Sequence, residues 1–410
     1  TDVLNDRRAA LAESVLRTLR AAAVRGQDGT ATWIAPVFNV TGWSVQPLTL
    51  DGYSGASGVA LLLAGYLREV AAGRVGELAG LPELLDAAVS TMRRAAERGR
   101  QIRADSSMKF RPDAPGLYVG IGSQLWTWLW LDRLGVTGGE GYRQASEAAR
   151  LLPEAVAASE EPDLLVGKAG AIVALLMLSE QSGDSGWLRS ACAIGDELAA
   201  SARWTGDTAC WLSPRWPAGL GGFAHGATGI GWAMARLSQA SGRADYAELA
   251  EAALAFERSL FRPELGGWHD LREASAATHA WCHGSIGIGL AGADLLRRGF
   301  GDQVAHARVV RQAAEAAWRH GFGLNHTLCH GDLGSWELLA AADALGLAPA
   351  GFDQLELQAY LVGSVEKYRP TSGLARDALA PGLLPGVGGI AYQLLRMHAG
   401  CELPSALVLR

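Results

Sequence analysis

Three residues in the C-terminal half of the chain could bind a transition metal together. Cys329 and His330 are adjacent, and Cys282 precedes them in a separate segment. Two thiolates and one imidazole suit Zn²⁺, and three protein ligands leave a tetrahedral ion one open position, which is typical of a catalytic site. The alternative is that both cysteines are small buried apolar residues. We predict a zinc site at these three residues.

Three further residues are candidates for acid–base chemistry. His225 precedes a glycine, as His330 does, and we assign it as a general acid or base, although a lone histidine can also serve in packing. Asp163 could orient an imidazole, or it could simply cap a helix. His283 follows Cys282 directly and either supports the metal ligands or lies at the rim of the site. His279 and His326 flank the two cysteine motifs and are expected to be structural.

The elements that must position these residues are repeats. A Gly-x-x-Gly unit followed by an apolar segment occurs six times, at 55–58, 167–170, 226–229, 284–287, 331–334 and 386–389. A weaker seventh copy, Gly120-Ile-Gly-Ser123, has serine in place of the second glycine. The apolar segments are hydrophobic nearly all round, which predicts helices buried on every side. Segments rich in alanine, glutamate and arginine lie between them and predict amphipathic outer helices.

Repeats of this kind cannot each bury a core of their own, so they must stack. An open solenoid would need polar capping repeats, whereas the last copy is as apolar as the others. We therefore predict an all-α fold, a double-layered α/α toroid of seven helical hairpins with seven inner and seven outer helices. The whole chain, 1–410, is predicted to be a single domain, with a helical lead-in over 1–50 and the repeats over 51–410.

The repeats also place the candidate residues in one register. Counted from the first glycine of its repeat, each of the two candidate ligand cysteines lies at position −2, His225 and His330 lie at −1, and Asp163 lies at −4. If rotation relates the repeats, all of these side chains lie on the same rim of the ring. Equivalent positions in consecutive repeats can assemble a metal site from segments distant in sequence.

Composition excludes several other classes of protein. Of 410 residues, 49% are hydrophobic and 19% charged, which supports a large core rather than disorder. The net charge of −6 argues against nucleic acid as a partner. An odd set of five cysteines is not a disulfide framework and favours a reducing cytoplasm. The apolar segments are too short to span a bilayer.

Three motifs resemble those of LanC-type lanthipeptide cyclases. They are Gly222-Phe-Ala-His-Gly226, Ala280-Trp-Cys-His-Gly284 and Asn325-His-Thr-Leu-Cys-His-Gly-Asp332. The sequences of these motifs are most similar to those of the C-terminal cyclase domain of the class II synthetases, LanM. The resemblance implies a seven-fold α/α toroid, zinc held by Cys282, Cys329 and His330, a catalytic histidine at His225 and an aspartate at Asp163. Stand-alone members carry arginine and tyrosine where this chain has Thr278 and His283, so the resemblance gives Thr278 no role.

The reaction implied by the resemblance is an intramolecular Michael addition. A peptide cysteine thiol adds to dehydroalanine or dehydrobutyrine and closes a lanthionine or methyllanthionine ring. Zinc would deprotonate the thiol, whose pKa is ~8.5 when free. His225, tuned by Asp163, would supply the proton to the α-carbon.

Two alternatives and several partners follow from the same sequence. The alternatives are glutathione addition to dehydroamino acids and a non-catalytic, zinc-containing toroid that binds peptides. The expected partner is a dehydrated precursor peptide with its leader, together with an N-terminal dehydratase domain or a separate dehydratase. The chain shows neither a glycine-rich phosphate loop in strand context nor a kinase-like catalytic loop, so we expect it to need no ATP. The first residue, Thr1, is consistent with an excised domain or with trimming.

Overall fold

The computed structural model describes residues 2–39, 42–105, 111–214, 216–272, 277–374 and 378–410. Fifteen α-helices lie in this part of the chain: α1 (Asp2–Ala22), α2 (Ala56–Ala71), α3 (Leu81–Ala104), α4 (Ile121–Arg133), α5 (Glu140–Ala149), α6 (Leu152–Ala157), α7 (Lys168–Ser182), α8 (Ser185–Ser201), α9 (Ala227–Ser241), α10 (Ala244–Ser259), α11 (Ser285–Arg297), α12 (Gln303–His320), α13 (Asp332–Asp343), α14 (Gln354–Tyr368) and α15 (Val387–Arg396). None of the described helices is both long and apolar enough to cross a bilayer.

Seven of these helices form an inner ring. Helices α2, α4, α7, α9, α11, α13 and α15 each begin one residue after the first glycine of a repeat. Most of their residues are buried, including the whole run from Ala169 to Leu178 in α7. Burial on all sides explains why these segments are apolar around their full circumference. The seven inner helices confirm the repeats found in the sequence.

The outer layer contains amphipathic helices, and its seventh place is occupied by α1. Helices α3, α5 with α6, α8, α10, α12 and α14 each follow an inner helix along the chain. Helix α1 packs against α15 and α14, where it buries Leu4, Ala12, Leu16 and Leu19. The sequence analysis predicted that this segment is a helical lead-in outside the repeats. Its apolar stripe instead covers α15, because no helix follows α15 among the described residues.

Within the described residues, strands are confined to short hairpins, as expected for an all-α fold. Each of four antiparallel pairs forms its own two-stranded sheet. They are β1 (Val24–Arg25) with β2 (Ala31–Thr32), β3 (Ile34–Asn39) with β4 (Gly42–Pro47), β5 (Arg203–Thr205) with β6 (Thr208–Cys210), and β7 (Phe261–Arg262) with β8 (Gly267–Trp268). The all-α toroid is therefore confirmed.

A closed circle of backbone hydrogen bonds joins the seven repeats at one rim. The donor N–H and acceptor C=O pairs, 2.8 to 3.2 Å apart, are Tyr53 to Tyr118, Tyr118 to Leu165, Leu165 to Ala224, Ala224 to Cys282, Trp281 to Cys329, Cys329 to Leu384 and Leu384 to Tyr53. All but one of the donors, and every acceptor, occupy position −2 of a repeat. The circle therefore places Cys282 and Cys329 in neighbouring repeats of the same rim.

Close approach of the backbone at the start of each inner helix explains the glycine pairs. A Cβ atom at Gly229 would lie 1.8 Å from the carbonyl oxygen of Phe223, and one at Gly389 would lie 1.7 Å from that of Leu383. Neither neighbour is the end of a flexible side chain that could move aside. In the atypical repeat, Gly122 makes this close approach, and the buried Ser123 hydroxyl donates to the Gly120 carbonyl. The glycines are thus needed for helix packing at the rim.

We expect Gly229→Ala to destabilise the protein, at a cost of at least about 1–3 kcal/mol in the free energy of unfolding. The physical reason is the backbone clash with Phe223. Gly363→Ala in the outer helix α14 is the matched control, because the nearest atom to its added Cβ lies 3.9 Å away. Alanine there should stabilise the protein by about 0.5–1 kcal/mol. Urea unfolding measures both, and shifts of the same sign would contradict the packing role of the pair.

Candidate metal centre and the adjacent histidines

The three predicted metal ligands meet at the rim. One ligand atom from each of Cys282, Cys329 and His330 lies within 4.8 Å of the other two. The Nε2 atom of His330 is 3.2 Å from the Cys282 sulfur and 3.8 Å from the Cys329 sulfur. In the described part of the chain this is the one cluster of histidine, cysteine or acidic side chains with such spacing. The fold therefore brings together the three residues that were predicted from the sequence to bind a metal.

Local hydrogen bonds fix the turn that carries Cys282. The Thr278 hydroxyl donates to the carbonyl oxygen of His283 at 2.6 Å, and the N–H of Ser285 donates back to the Thr278 carbonyl at 3.2 Å. Cys282 lies inside this closed turn. The structure thus gives Thr278 a structural role, which the sequence left unassigned.

A second turn fixes His330. The side-chain oxygen of Asn325 accepts from the backbone N–H and the hydroxyl of Thr327, at 2.9 and 2.7 Å. The Thr327 hydroxyl oxygen in turn accepts from the N–H of His330 at 3.3 Å. The Asn325 and Thr327 side chains therefore hold the ligand-bearing backbone rather than facing the metal ligands.

The electrostatics of the three ligands fit a divalent cation that prefers sulfur and nitrogen. The hydrogen bond from the Cys329 thiol, aided by His330, holds the pKa of Cys282 well below its usual value. Burial and the neighbouring Cys282 sulfur raise the pKa of Cys329 well above its usual value. The two sulfurs thus share a hydrogen bond, and a cation bound by both would displace its proton. Two sulfurs and an imidazole nitrogen are the donor set that Zn²⁺ accepts.

His225, which is partly exposed, and the buried Asp163 form a pair on the same rim. The Nδ1 atom of His225 lies 2.5 Å from one carboxylate oxygen of Asp163. The other carboxylate oxygen accepts from the backbone N–H of Val166 at 2.9 Å. Asp163 therefore orients an imidazole and closes the turn before α7. It does not cap that helix, whose N-cap residue is Gly167 and whose first turn receives no side-chain cap. Because Nδ1 of His225 is engaged, its Nε2 is the ring nitrogen left for chemistry.

His283 lies between this pair and the metal ligands. Its ring stacks on that of His225 with centroids 5.0 Å apart and planes 25° apart. Burial, with smaller effects from neighbouring charges, lowers the pKa of His283 to about 4. The imidazole is therefore neutral at neutral pH. It connects Cys282, its neighbour in sequence, with the candidate acid–base residue.

Two residues beside the site were missed in the sequence. The hydroxyl of Tyr53 donates to the Cys329 sulfur at 3.1 Å, and burial, aided by the two cysteine sulfurs, raises the pKa of Tyr53 well above its usual value. Arg272 pairs with Asp270 at 2.5 Å, and its positive charge acts on both neighbouring imidazoles. It adds to the effect of burial, which lowers the pKa of His283, and it opposes the hydrogen bond with Cys282, which raises the pKa of His330. Tyr53 occupies position −2, so the repeat register could have found it. Arg272 lies outside the register, and no sequence signal marked it.

The two histidines expected to be structural make structural contacts. His279 is 3.0 Å from the Ser285 hydroxyl and stacks on His320. His326 lies within hydrogen-bonding distance of the hydroxyls of Ser364 and Thr371, both at 2.9 Å. These contacts are consistent with a structural role for both histidines.

Comparison with known proteins agrees with this architecture. The family model described as "Lanthionine synthetase C-like protein" matches residues 46–408. Nisin cyclase superposes with a TM-score of 0.61 at 17% identity, over 86% of this chain and 90% of that one. A sugar epimerase from a ruminal bacterium has a TM-score of 0.44 (14% identity, 68% of this chain, 87% of that one). A heparin-specific unsaturated glucuronyl hydrolase reaches 0.45 (12% identity, 82% and 88%).

These similarities carry different weight. At 17% identity the cyclase shows a shared fold, and scores below 0.5 support no argument about the other two. No curated protein sequence matches the chain. The family model matches most of the chain in sequence, and the matched region includes every candidate site residue.

Proposed function

The chain belongs to the lanthionine synthetase C-like family, and on that premise we propose that it is a zinc-dependent cyclase that closes thioether rings in a peptide. A cysteine thiol of the peptide adds to the β-carbon of a dehydroalanine or dehydrobutyrine in the same peptide. A carbon–sulfur bond forms, the carbon–carbon double bond is lost, and the α-carbon gains a proton. The product is a lanthionine or methyllanthionine ring.

One observation carries this proposal. Three metal-ligating side chains and a carboxylate-oriented histidine lie on the same rim of the toroid, with the stacked His283 between them. The addition needs a deprotonated sulfur and a proton donor close together. The ligand cluster can provide the first and the histidine pair the second.

Cys282, Cys329 and His330 would hold the zinc ion. Such an ion would lower the pKa of a peptide thiol, and two protein thiolates would keep that sulfur nucleophilic by donating electron density. The protein's part is to hold the three ligands rigidly. The turns closed by Thr278 and Thr327 do so.

His225 is the proposed proton donor. Addition at the β-carbon leaves negative charge on the α-carbon and its carbonyl, and the imidazole can deliver a proton there from Nε2. Asp163, whose carboxylate oxygen lies 2.5 Å from Nδ1, accepts from that nitrogen and orients the ring, which leaves Nε2 to carry the proton. His283 packs against His225 and limits the orientations of its ring.

We expect Asp163→Asn to slow ring closure without loss of zinc. The asparagine oxygen can still accept from Val166, so the turn persists, but the amide nitrogen cannot accept from His225. The loss should not exceed the 10²- to 10⁴-fold contribution typical of an acid–base group, as an order of magnitude.

Asp51→Asn is the matched control for Asp163→Asn. Asp51 occupies the same register position and caps its turn by accepting from Ser54 and Gly55. Rates of ring closure under single-turnover conditions measure both variants. Equal losses in the two would show that Asp163 matters only for the turn.

The direct test is incubation with a dehydrated precursor peptide that retains its leader, followed by alkylation of free thiols and mass spectrometry. Cyclisation consumes one thiol per ring with no change in mass. An added glutathione mass would instead indicate the transferase alternative. Tight binding with no loss of thiols would indicate a peptide-binding toroid.

The proposed substrate also defines the partners. The peptide must arrive already dehydrated, so a dehydratase, as a domain or as a separate protein, is the expected supplier. ATP and Mg²⁺ added with an unmodified precursor should cause no loss of water. The five free cysteines favour a reducing compartment such as the cytoplasm.

A further inference from the structure

The circle of backbone hydrogen bonds has one irregular step, and it lies at the metal ligands. In six repeats the N–H at position −2 donates to the next repeat. At the remaining step Trp281, at −3, donates to the Cys329 carbonyl in place of Cys282. The Cys282 N–H is thereby released, and it hydrogen-bonds to the Cys329 side chain.

Tyr53 supplies a second donor to the same sulfur. It occupies position −2 of the first repeat, and its hydroxyl lies 3.1 Å from the Cys329 sulfur. Tyr118 occupies the same position in the next repeat, yet its hydroxyl donates to the Leu407 carbonyl at 2.8 Å. The contact with sulfur is therefore specific to Tyr53 and does not follow from the register alone.

We propose that Tyr53, together with the Cys282 N–H, holds Cys329 as an unreactive spectator ligand. This inference rests on the proposed zinc-dependent cyclase. Cys329 is fully buried, whereas Cys282 retains 9% of its exposure. Tyr53 acts through the ligand and so is a positioning residue rather than a catalytic one.

The physical reason lies in the number of sulfurs at the site. With substrate present, two protein thiolates and the peptide thiolate would share one ion, and only the peptide sulfur should attack the electrophilic carbon. A hydrogen bond to a thiolate withdraws electron density and makes that sulfur a weaker nucleophile. Two such bonds on Cys329 would therefore leave the peptide sulfur as the more reactive one.

Tyr53→Phe tests this role, with Tyr118→Phe as the control that removes a tyrosine hydroxyl from the same register position. Each protein is loaded with Co²⁺, and its sulfur-to-metal charge-transfer band is recorded. Zinc affinity is measured in parallel by chelator competition. We expect a red shift of the band and about 10- to 100-fold weaker zinc binding in Tyr53→Phe, because partners of metal ligands typically contribute that much. Tyr118→Phe should match the wild type.

Replacing Tyr53 alone with fluorotyrosine provides a second variant with the ring volume nearly unchanged. Its more acidic hydroxyl should shift the band in the opposite direction, to higher energy. If the band and the zinc affinity of Tyr53→Phe equal those of Tyr118→Phe, and fluorotyrosine has no effect, the proposal is wrong. Failure of the proposed function looks different: the wild type itself would close no rings, wherever the band lies.

Discussion

The double variant Cys282→Ala plus Cys329→Ala is expected to contain no zinc and to close no rings, whereas the wild type should contain one zinc per chain. The change removes two of the three ligand atoms that lie within 4.8 Å of one another and leaves only His330. A single imidazole cannot retain the ion, and the peptide thiol then stays mostly protonated at neutral pH. Elemental analysis and counting of free thiols measure the two effects.

The fold of this double variant should survive, which separates a catalytic from a structural metal. The ring is closed by backbone hydrogen bonds at these positions, and alanine preserves them. A structural zinc would make the metal-free protein unfold. Circular dichroism on heating makes the distinction. The variant Cys192→Ala plus Cys401→Ala, at two partly buried cysteines outside the cluster, is the matched control and should keep its zinc. Zinc that remains in the Cys282/Cys329 variant would end the metal assignment.

The second large effect is expected from His225→Asn. The variant should keep its zinc and its fold, and it should close rings about 10²- to 10⁴-fold more slowly. The imidazole makes its hydrogen bond to Asp163 and not to a metal ligand, so the ligand cluster is left unchanged. Asparagine can still contact Asp163, but it cannot deliver a proton at neutral pH. Single-turnover rates with a dehydrated peptide measure the loss.

His279→Asn is the control for His225→Asn. His279 lies three residues before Cys282, but its ring contacts Ser285 and His320 rather than the acid–base pair. It should change the rate far less. Ring closure at the wild-type rate in His225→Asn would show that His225 is a packing residue and that another proton source exists.

The repeat register explains why the sequence alone identified so much. An α/α toroid needs a close backbone approach at the start of every inner helix, and glycine is the residue that permits it. The glycine pairs therefore mark each repeat in the sequence, and the first glycine of each pair gives a reference position from which residues in different repeats can be aligned. Once counted, Cys282, Cys329 and His225 fall at positions that rotation brings to one rim. Because the fold is cyclic, residues at equivalent positions of different repeats lie on the same rim, and the position within a repeat therefore predicts the location in space.

Other features depended on which segments meet in three dimensions. Helix α1 completes the outer layer because the two ends of the described chain meet there, and no glycine pair marks that contact. Arg272 reaches the histidines from a loop that has no place in the register. The contact of Tyr53 with Cys329 crosses 276 residues of sequence, and it differs from that of Tyr118 at the same register position. A periodic pattern determines where a backbone position lies, but only packing against the particular neighbours decides which atom its side chain touches.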